Sequence, residues 1–278
     1  MTPDAVVRLG DSLIQHGKAN DRAYVMKVAE KDCAQIVDYA VSLALSRGYG
    51  KVFAKAPGYA RRRFLDNGFV EEAKIPGFFR GERDGYFLSR FFCPDRAEED
   101  RPELVSQVLE KAQQKSAEPE QVALPAGLVC RTMQKGDAEP MAELYRQVFA
   151  SYPFPIHDPG YLARTMDENL EYYGILEGER LIALSSAEID FAGKNAEMTD
   201  FATLPEARGK GLASYLLAKM EEGIRQIGIR TAYTIARAYS FGMNITFARR
   251  DYSFAGSLVN NTQISGDLES MNVWYKPL

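Results

Sequence analysis

The sequence has 278 residues, 46% of them apolar, a net charge of −4, three cysteines and two histidines. That length holds two domains, while the lack of a CxxC pair, of a His cluster and of any run of about eighteen apolar residues speaks against a metal centre, a disulfide frame and a membrane span. Residues 1–97 hold 16 Lys+Arg against 12 Asp+Glu and the remainder 18 against 26, which disfavours nucleic acid as a partner of the second half and suits a small cationic substrate. The opening Met-Thr-Pro-Asp-Ala-Val-Val-Arg has no basic stretch before a long apolar block. No export signal is therefore expected, and the scattered thiols suit a cytoplasmic protein.

Taken in chain order, Tyr24–Ala29 reads as a strand and Cys33–Ser46 as a helix with Ile36, Val37, Ala40, Leu43 and Ala44 on one side. Lys51–Ala56 reads as a strand, Tyr59–Asp66 as a helix, and Phe69–Ala73 and Tyr86–Phe92 as strands. These elements make a small α/β domain over residues 1–97. Arg61-Arg62-Arg63 reads as a solvated helix face. Residues 98–122 are expected to form a linker helix. Asp100 and Glu103 have capping-box spacing around Pro102, and Leu104, Val105, Val108, Leu109 and Ala112 form one apolar stripe before the polar run Gln113 to Gln121.

Residues 123–278 then alternate between the two periods. Leu128–Met133 is a strand, and Asp137 caps a helix carrying Met141, Leu144, Tyr145, Val148 and Phe149. Pro153-Phe154-Pro155 breaks it, and Pro159–Met166 is a short helix. Glu171–Glu177, Leu181–Phe191 and Ala196–Thr203 are strands, followed by a glycine-rich turn and a helix bearing Leu212, Leu216, Met220 and Ile227. Ile229–Ala236 is a strand, Phe241–Arg250 a helix, and Leu258–Ile264 with Leu268–Tyr275 a hairpin across Ser265-Gly266-Asp267. The fold class is α/β, a mixed sheet with helices on both sides. Phe64-Leu65-Asp66-Asn67-Gly68-Phe69 and Phe247-Ala248-Arg249-Arg250-Asp251-Tyr252 echo one another, through internal duplication or through chance likeness of α/β units.

The turn Arg208-Gly209-Lys210-Gly211-Leu212-Ala213 carries the chemistry. A strand ends, glycines turn the chain, and a helix starts with unpaired N–H groups and the positive end of its dipole exposed, which makes an anion site. Glycines allow close approach of a pyrophosphate, and Arg208 and Lys210 add charge. The turn fits R/Q-x-x-G-x-G/A, and the chain resembles here the GNAT acyltransferase superfamily, whose fold the smaller first domain would precede as half of a second copy. The resemblance implies acetyl-CoA as donor, no metal, and Phe201, Ala202, Thr203, Arg208, Gly209, Lys210, Gly211, Leu212, Ala213, Asn244 and Phe247 around it.

An ammonium has no lone pair, so an amine must lose a proton before it attacks a thioester, and a carboxylate raised in pKa by an apolar cleft can take that proton. Period two places Glu197, Thr199, Phe201 and Thr203 on one strand face and Met198, Asp200 and Ala202 on the other. In several GNAT enzymes a Glu at the position resembling Glu197 is the base; Asp200 is its rival, or a ligand for a second substrate amine. The departing thiolate commonly meets a Tyr acid, for which Tyr252 and Tyr239 are the candidates.

Ala196-Glu197-Met198-Thr199-Asp200-Phe201-Ala202-Thr203, Met243-Asn244-Ile245-Thr246-Phe247, Asn260-Asn261-Thr262 and Glu269-Ser270-Met271-Asn272-Val273-Trp274-Tyr275-Lys276 look more narrowly like the beta-lysine N-acetyltransferase family. So do Lys74-Ile75-Pro76-Gly77-Phe78-Phe79 and Tyr86-Phe87-Leu88-Ser89-Arg90-Phe91 in the first half. That resemblance implies acetylation of the side-chain amine of beta-lysine to N-epsilon-acetyl-beta-lysine, a compatible solute, without membrane or nucleic-acid partners. It directs attention to Arg237 or Arg249 for the substrate carboxylate and to Asp200 or Glu269 for its beta-amine. A homodimer is compatible with it. Acetylation of another small amine or of a protein lysine, and a non-catalytic acyl-CoA sensor, stay open as alternatives.

Overall fold

A computed structural model describes residues 4–117, 123–264 and 266–278, so the end of the expected linker, 118–122, and Ser265 of the closing turn lie outside the described residues. The chain opens on β1 (Ala5–Leu9), β2 (Ser12–Gly17) and β3 (Arg22–Lys27). The sequence reading passes over the first two, because β1 is mostly exposed and shows no clean alternation. Next come α1 (Cys33–Arg47), β4 (Lys51–Pro57), α2 (Gly58–Asp66), β5 (Val70–Phe79) and β6 (Arg83–Phe91). A short α3 (Pro94–Ala97) and α4 (Pro102–Ser116) follow. The expected capping box at Asp100 is not formed: Arg101 is the N-cap residue and its N–H donates to Glu99.

The second half contains β7 (Leu128–Thr132), α5 (Ala138–Val148), α6 (Pro159–Glu168), β8 (Leu170–Glu177), β9 (Arg180–Asp190) and β10 (Asn195–Thr203). It ends with α7 (Leu212–Gln226), β11 (Thr231–Arg237), α8 (Phe241–Arg249), β12 (Ser253–Ile264) and β13 (Asp267–Pro277). Among the described residues no helix is long and apolar enough to cross a membrane.

All thirteen strands form one mixed sheet in the order β1-β2-β3-β4-β6-β5-β12-β13-β11-β10-β9-β8-β7. The run β3-α1-β4-α2-β5-β6 has the same element order as β10-α7-β11-α8-β12-β13, and the two meet where β5 pairs antiparallel with β12. Each run also contains one parallel pair, β3 with β4 and β10 with β11. The echo between the two helix ends is structural as well. Phe69 N–H bonds back to the Phe64 carbonyl and Tyr252 N–H to that of Phe247. Each pair packs edge to face, with ring centroids 4.9 and 5.1 Å apart.

One core lies under α1 and α2, and another, larger one under α5, α6 and α7. A third joins the halves: Tyr24, Phe53, Phe78 and Phe87 pack against Tyr233, Leu258, Met271 and Val273, so the two half-sheets face each other. At the β5–β12 junction a Cβ on Gly256 would stand 2.1 Å from the Glu72 carbonyl oxygen, so only glycine lets the strands approach. Arg61, Arg62 and Arg63 are paired with Glu71, Asp66 and Asp38 on the surface of the first half.

Candidate active site

β10 and β11 are hydrogen-bonded only from Asn195–Glu197 to Thr231–Tyr233. Beyond that the strands part, and on the other side of β10 a bulge breaks the register with β9 between Thr199 and Ala202. Asp200 sits in the bulge with φ of 55°, a left-handed conformation that a short polar side chain tolerates. The parting opens a cavity of about 640 Å³ between the end of β10, the start of α7, β11 and α8.

The glycine-rich turn lines that cavity with Arg208, Gly209, Gly211, Leu212 and Ala213. Gly209 and Gly211 have φ of 78° and 72°, and Gly211 is the N-cap of α7. No Cβ clash arises at Gly209, so the backbone conformation is what requires glycine there. First-turn N–H groups of α7 have no carbonyl one turn back and point out of the helix end. Arg208 folds back to donate to the Thr203 carbonyl at 3.2 Å. Lys210 is exposed outside the lining and Ala202 is buried on the helix side. Phe201 and Phe247 form an edge-to-face wall at 5.7 Å, with Thr203 beyond.

Asn244 and Tyr252 stand away from the cavity wall. Asn244 is fully buried: its amide donates to the carbonyls of Arg237 and Ser240, and its oxygen accepts from Asn272 and from the Trp274 indole. With every polar valence used, Asn244 fastens α8 to β11 and β13 and is not on the cavity wall. Tyr252 is likewise buried against Phe247 and lies outside the lining, where burial holds its hydroxyl well above the usual range. Tyr239 donates to Glu99 instead. The tyrosine on the cavity wall is Tyr152, in the loop that the prolines mark only as a helix break.

The Tyr152 hydroxyl donates to Asp200 at 2.5 Å, and Ser186 donates to the other carboxylate oxygen at 2.5 Å. Burial raises the Asp200 pKa although these bonds oppose the rise. Glu197 faces the first half of the chain, opposite Glu188 on β9 and Tyr233 on β11. Burial pushes its carboxyl up to about 7; Lys55 acts against the rise, Glu188 adds to it, and a hydrogen bond from Tyr233 lowers it. Lys55, from β4, donates to the Tyr233 hydroxyl at 2.7 Å. Burial opposes its charge, but Tyr24, Glu197 and Glu188 hold Lys55 protonated above the ordinary lysine range. Glu188 is also raised by burial. Lys55 is the partner that sequence reasoning missed, since nothing local ties a lysine on β4 to a glutamate on β10.

Arg237 lines the cavity, but it is bound to Glu269 through two hydrogen bonds of 2.8 and 2.5 Å. These two residues, expected at the substrate's carboxylate and its beta-amine, thus neutralise each other. Arg249 also lines the cavity. Among the described residues no group of His, Cys, Asp and Glu is arranged to hold a metal.

The chain matches a family model described as Acetyltransferase (GNAT) family over residues 139–243. It is 37% identical to the Beta-lysine N(6)-acetyltransferase of Methanococcus maripaludis over 98% of each chain. It is 38% identical to the protein of that name in Methanosarcina mazei, over 57% of this chain and 59% of that one. Among solved structures, the ribosomal-protein-S18-alanine N-acetyltransferase from Escherichia coli is similar, at 13% identity and a TM-score of 0.47, over 54% of this chain and 93% of that chain.

Proposed function

Since the chain belongs to the beta-lysine N(6)-acetyltransferase family and is an acyl-CoA-dependent N-acetyltransferase of the GNAT type, we propose that it transfers acetyl from acetyl-CoA to the side-chain amine of beta-lysine. One observation carries the reading: a cavity runs from a glycine-rich helix N-terminus to Asp200, while Glu197 and Glu188, outside its lining, stand opposite each other on β10 and β9 beside Lys55. The first end suits a pyrophosphate; the second suits an ammonium.

Acetyl-CoA supplies the acyl group as a thioester. The turn from Gly209 to Ala213 holds its phosphates, and the parted strands β10 and β11 guide its chain toward Thr199 and Phe201. Glu197, Glu188 and Asp200 draw in the cationic substrate. Glu197 takes one proton from the ammonium, which frees the lone pair. The nitrogen then bonds to the acyl carbon, the C–S bond breaks, and the sulfur leaves as a thiol with the second amine proton. Tyr152 holds Asp200 in place and replaces Tyr252 as the tyrosine nearest to the reaction. The product, N-epsilon-acetyl-beta-lysine, carries one positive charge fewer than its precursor, which suits a compatible solute kept in the cytoplasm.

An amine panel with acetyl-CoA tests this. Beta-lysine is expected to give the highest kcat/KM for thiol release among lysine isomers, polyamines and lysine peptides. A peptide that outcompetes it would move the substrate to protein lysine, and binding of acetyl-CoA with no thiol release from any amine would leave only the sensor.

A further inference from the structure

Arg22 lies on the face of β3 that meets the second half and is 4% exposed. Its guanidinium stacks over the rings of Tyr24 and Phe53, at 5.1 and 5.9 Å. Nη1 donates to the Asn261 carbonyl and, at 3.1 Å, to the Thr262 hydroxyl, both on β12. Nε is buried without a partner. Among the described residues no carboxylate pairs with Arg22; Asp4 and Glu197 reach it only through their fields. A guanidinium taken out of water without a counter-ion is costly, and proteins keep such a group where an anion completes it.

The atoms around it are incomplete in the opposite sense. Gln15 stands opposite Tyr24 in the β2–β3 register, on the same face as Arg22, and its amide oxygen is buried with no donor. The amide oxygen of Asn261 is also buried and unpartnered. A cation without an anion thus adjoins acceptors without donors, on a seam that the two halves build together. Arg237, by contrast, is held by Glu269 through two hydrogen bonds.

We propose that Arg22 binds the carboxylate of the amino-acid substrate, with the amide oxygens of Gln15 and Asn261 accepting from its beta-ammonium. The inference rests on the reading of the chain as an amino-acid N-acetyltransferase. Arg22, Tyr24 and Met26 recur at every second residue along one face of β3, with Lys55 on the adjoining strand touching Tyr233 and, through it, Glu197. A substrate anchored at Arg22 runs its aliphatic chain over Tyr24 and brings its far amine to Glu197. Burial also pushes the Arg22 guanidinium down to about 10, in keeping with the missing anion.

The test compares beta-lysine with beta-lysine amide and with cadaverine, which lacks a carboxylate, at saturating acetyl-CoA. The wild-type chain is expected to prefer the acid over the amide by about 10²-fold or more in kcat/KM, as sites built around a buried polar partner do. Arg22→Met removes that preference by raising the KM for beta-lysine while the KM for acetyl-CoA is unchanged; Arg22→Lys recovers part of it. Equal kcat/KM for acid and amide in the wild type overturns the proposal without any variant having to fold. A preference retained in Arg22→Met that still binds acetyl-CoA overturns it as well. If the wild type acetylates none of the three compounds, the underlying functional reading falls and the assignment of Arg22 falls with it.

Discussion

Glu197 and Lys55 show how one carboxylate is tuned from both halves of the chain. Lys55 on β4, Glu188 on β9, Asp200 on β10, Tyr233 on β11 and the Tyr24 and Arg22 side chains of β3 all act on the Glu197 site. With the carboxyl at about 7, the acid limb of kcat/KM is expected near that pH, with activity rising as Glu197 loses its proton. Glu197→Gln should lower kcat by about 10²-fold with little change in the KM for acetyl-CoA. Lys55→Met removes the charge that restrains the rise, so the acid limb should move to higher pH, while Lys55→Arg leaves it in place; a pH–rate series on the three proteins checks this. Stability should move the other way. An unfolded glutamate titrates near 4.3, so the folded chain holds this proton more tightly, and the contribution is complete below that pH and lost as pH rises through about 7. Glu197→Gln is therefore expected to melt above the wild type at pH 8 and to lose most of that advantage at pH 4. Period two in Ala196–Thr203 made Glu197 legible as a candidate, because alternation is local. Tyr152, Lys55 and Arg22 were not legible, since their partners stand 48, 178 and 239 residues away.

The turn between β10 and α7 is where the sequence spoke most directly, because left-handed backbone at Gly209 and Gly211 can be inferred from residue type alone. A valine at Gly211 must adopt a strained φ at the helix N-cap. Gly211→Val should accordingly raise the Kd for CoA by about 10-fold or more while the fold survives, as isothermal titration with CoA and a melting curve would record. Strong helical stripes gave α1, α5 and α7 nearly to the residue, and β8 to β11 followed from alternation between turn signals. β1 escaped because an exposed edge strand need not alternate, and β2 because its buried set includes the polar Ser12 and Gln15. The loop bearing Tyr152 escaped because prolines announce an interruption but not what the interrupted segment touches. Tyr252 was misplaced for a related reason. The repeat that pairs it with Phe69 marks it as the residue that packs the helix end, and a packing tyrosine looks like a reactive one in sequence.

For the molecule as a whole, we propose that residues 1–97, 98–122 and 123–278 act as a recognition half, a connector and a transferase half. Residues 123–278 alone would leave Tyr233, Leu258, Met271 and Val273 without their cover and Glu197 without Lys55. That fragment is expected to be poorly soluble and inactive in the thiol-release assay. Both half-sheets of the repeat sit in one chain, so each chain carries a whole site. Specific activity should hold constant on dilution through the nanomolar range, whether or not the chain also forms a homodimer. The β5–β12 junction has one more consequence, for the order of assembly. The first six strands are neighbours in the sheet and can pair as soon as they are synthesised, whereas β12 reaches Ala73 only after almost the entire chain exists. Closing so long a loop is entropically slow. The seam that holds Arg22, Lys55 and Glu197 should therefore form last, and in a refolding experiment enzymatic activity should return after most of the secondary structure has done so.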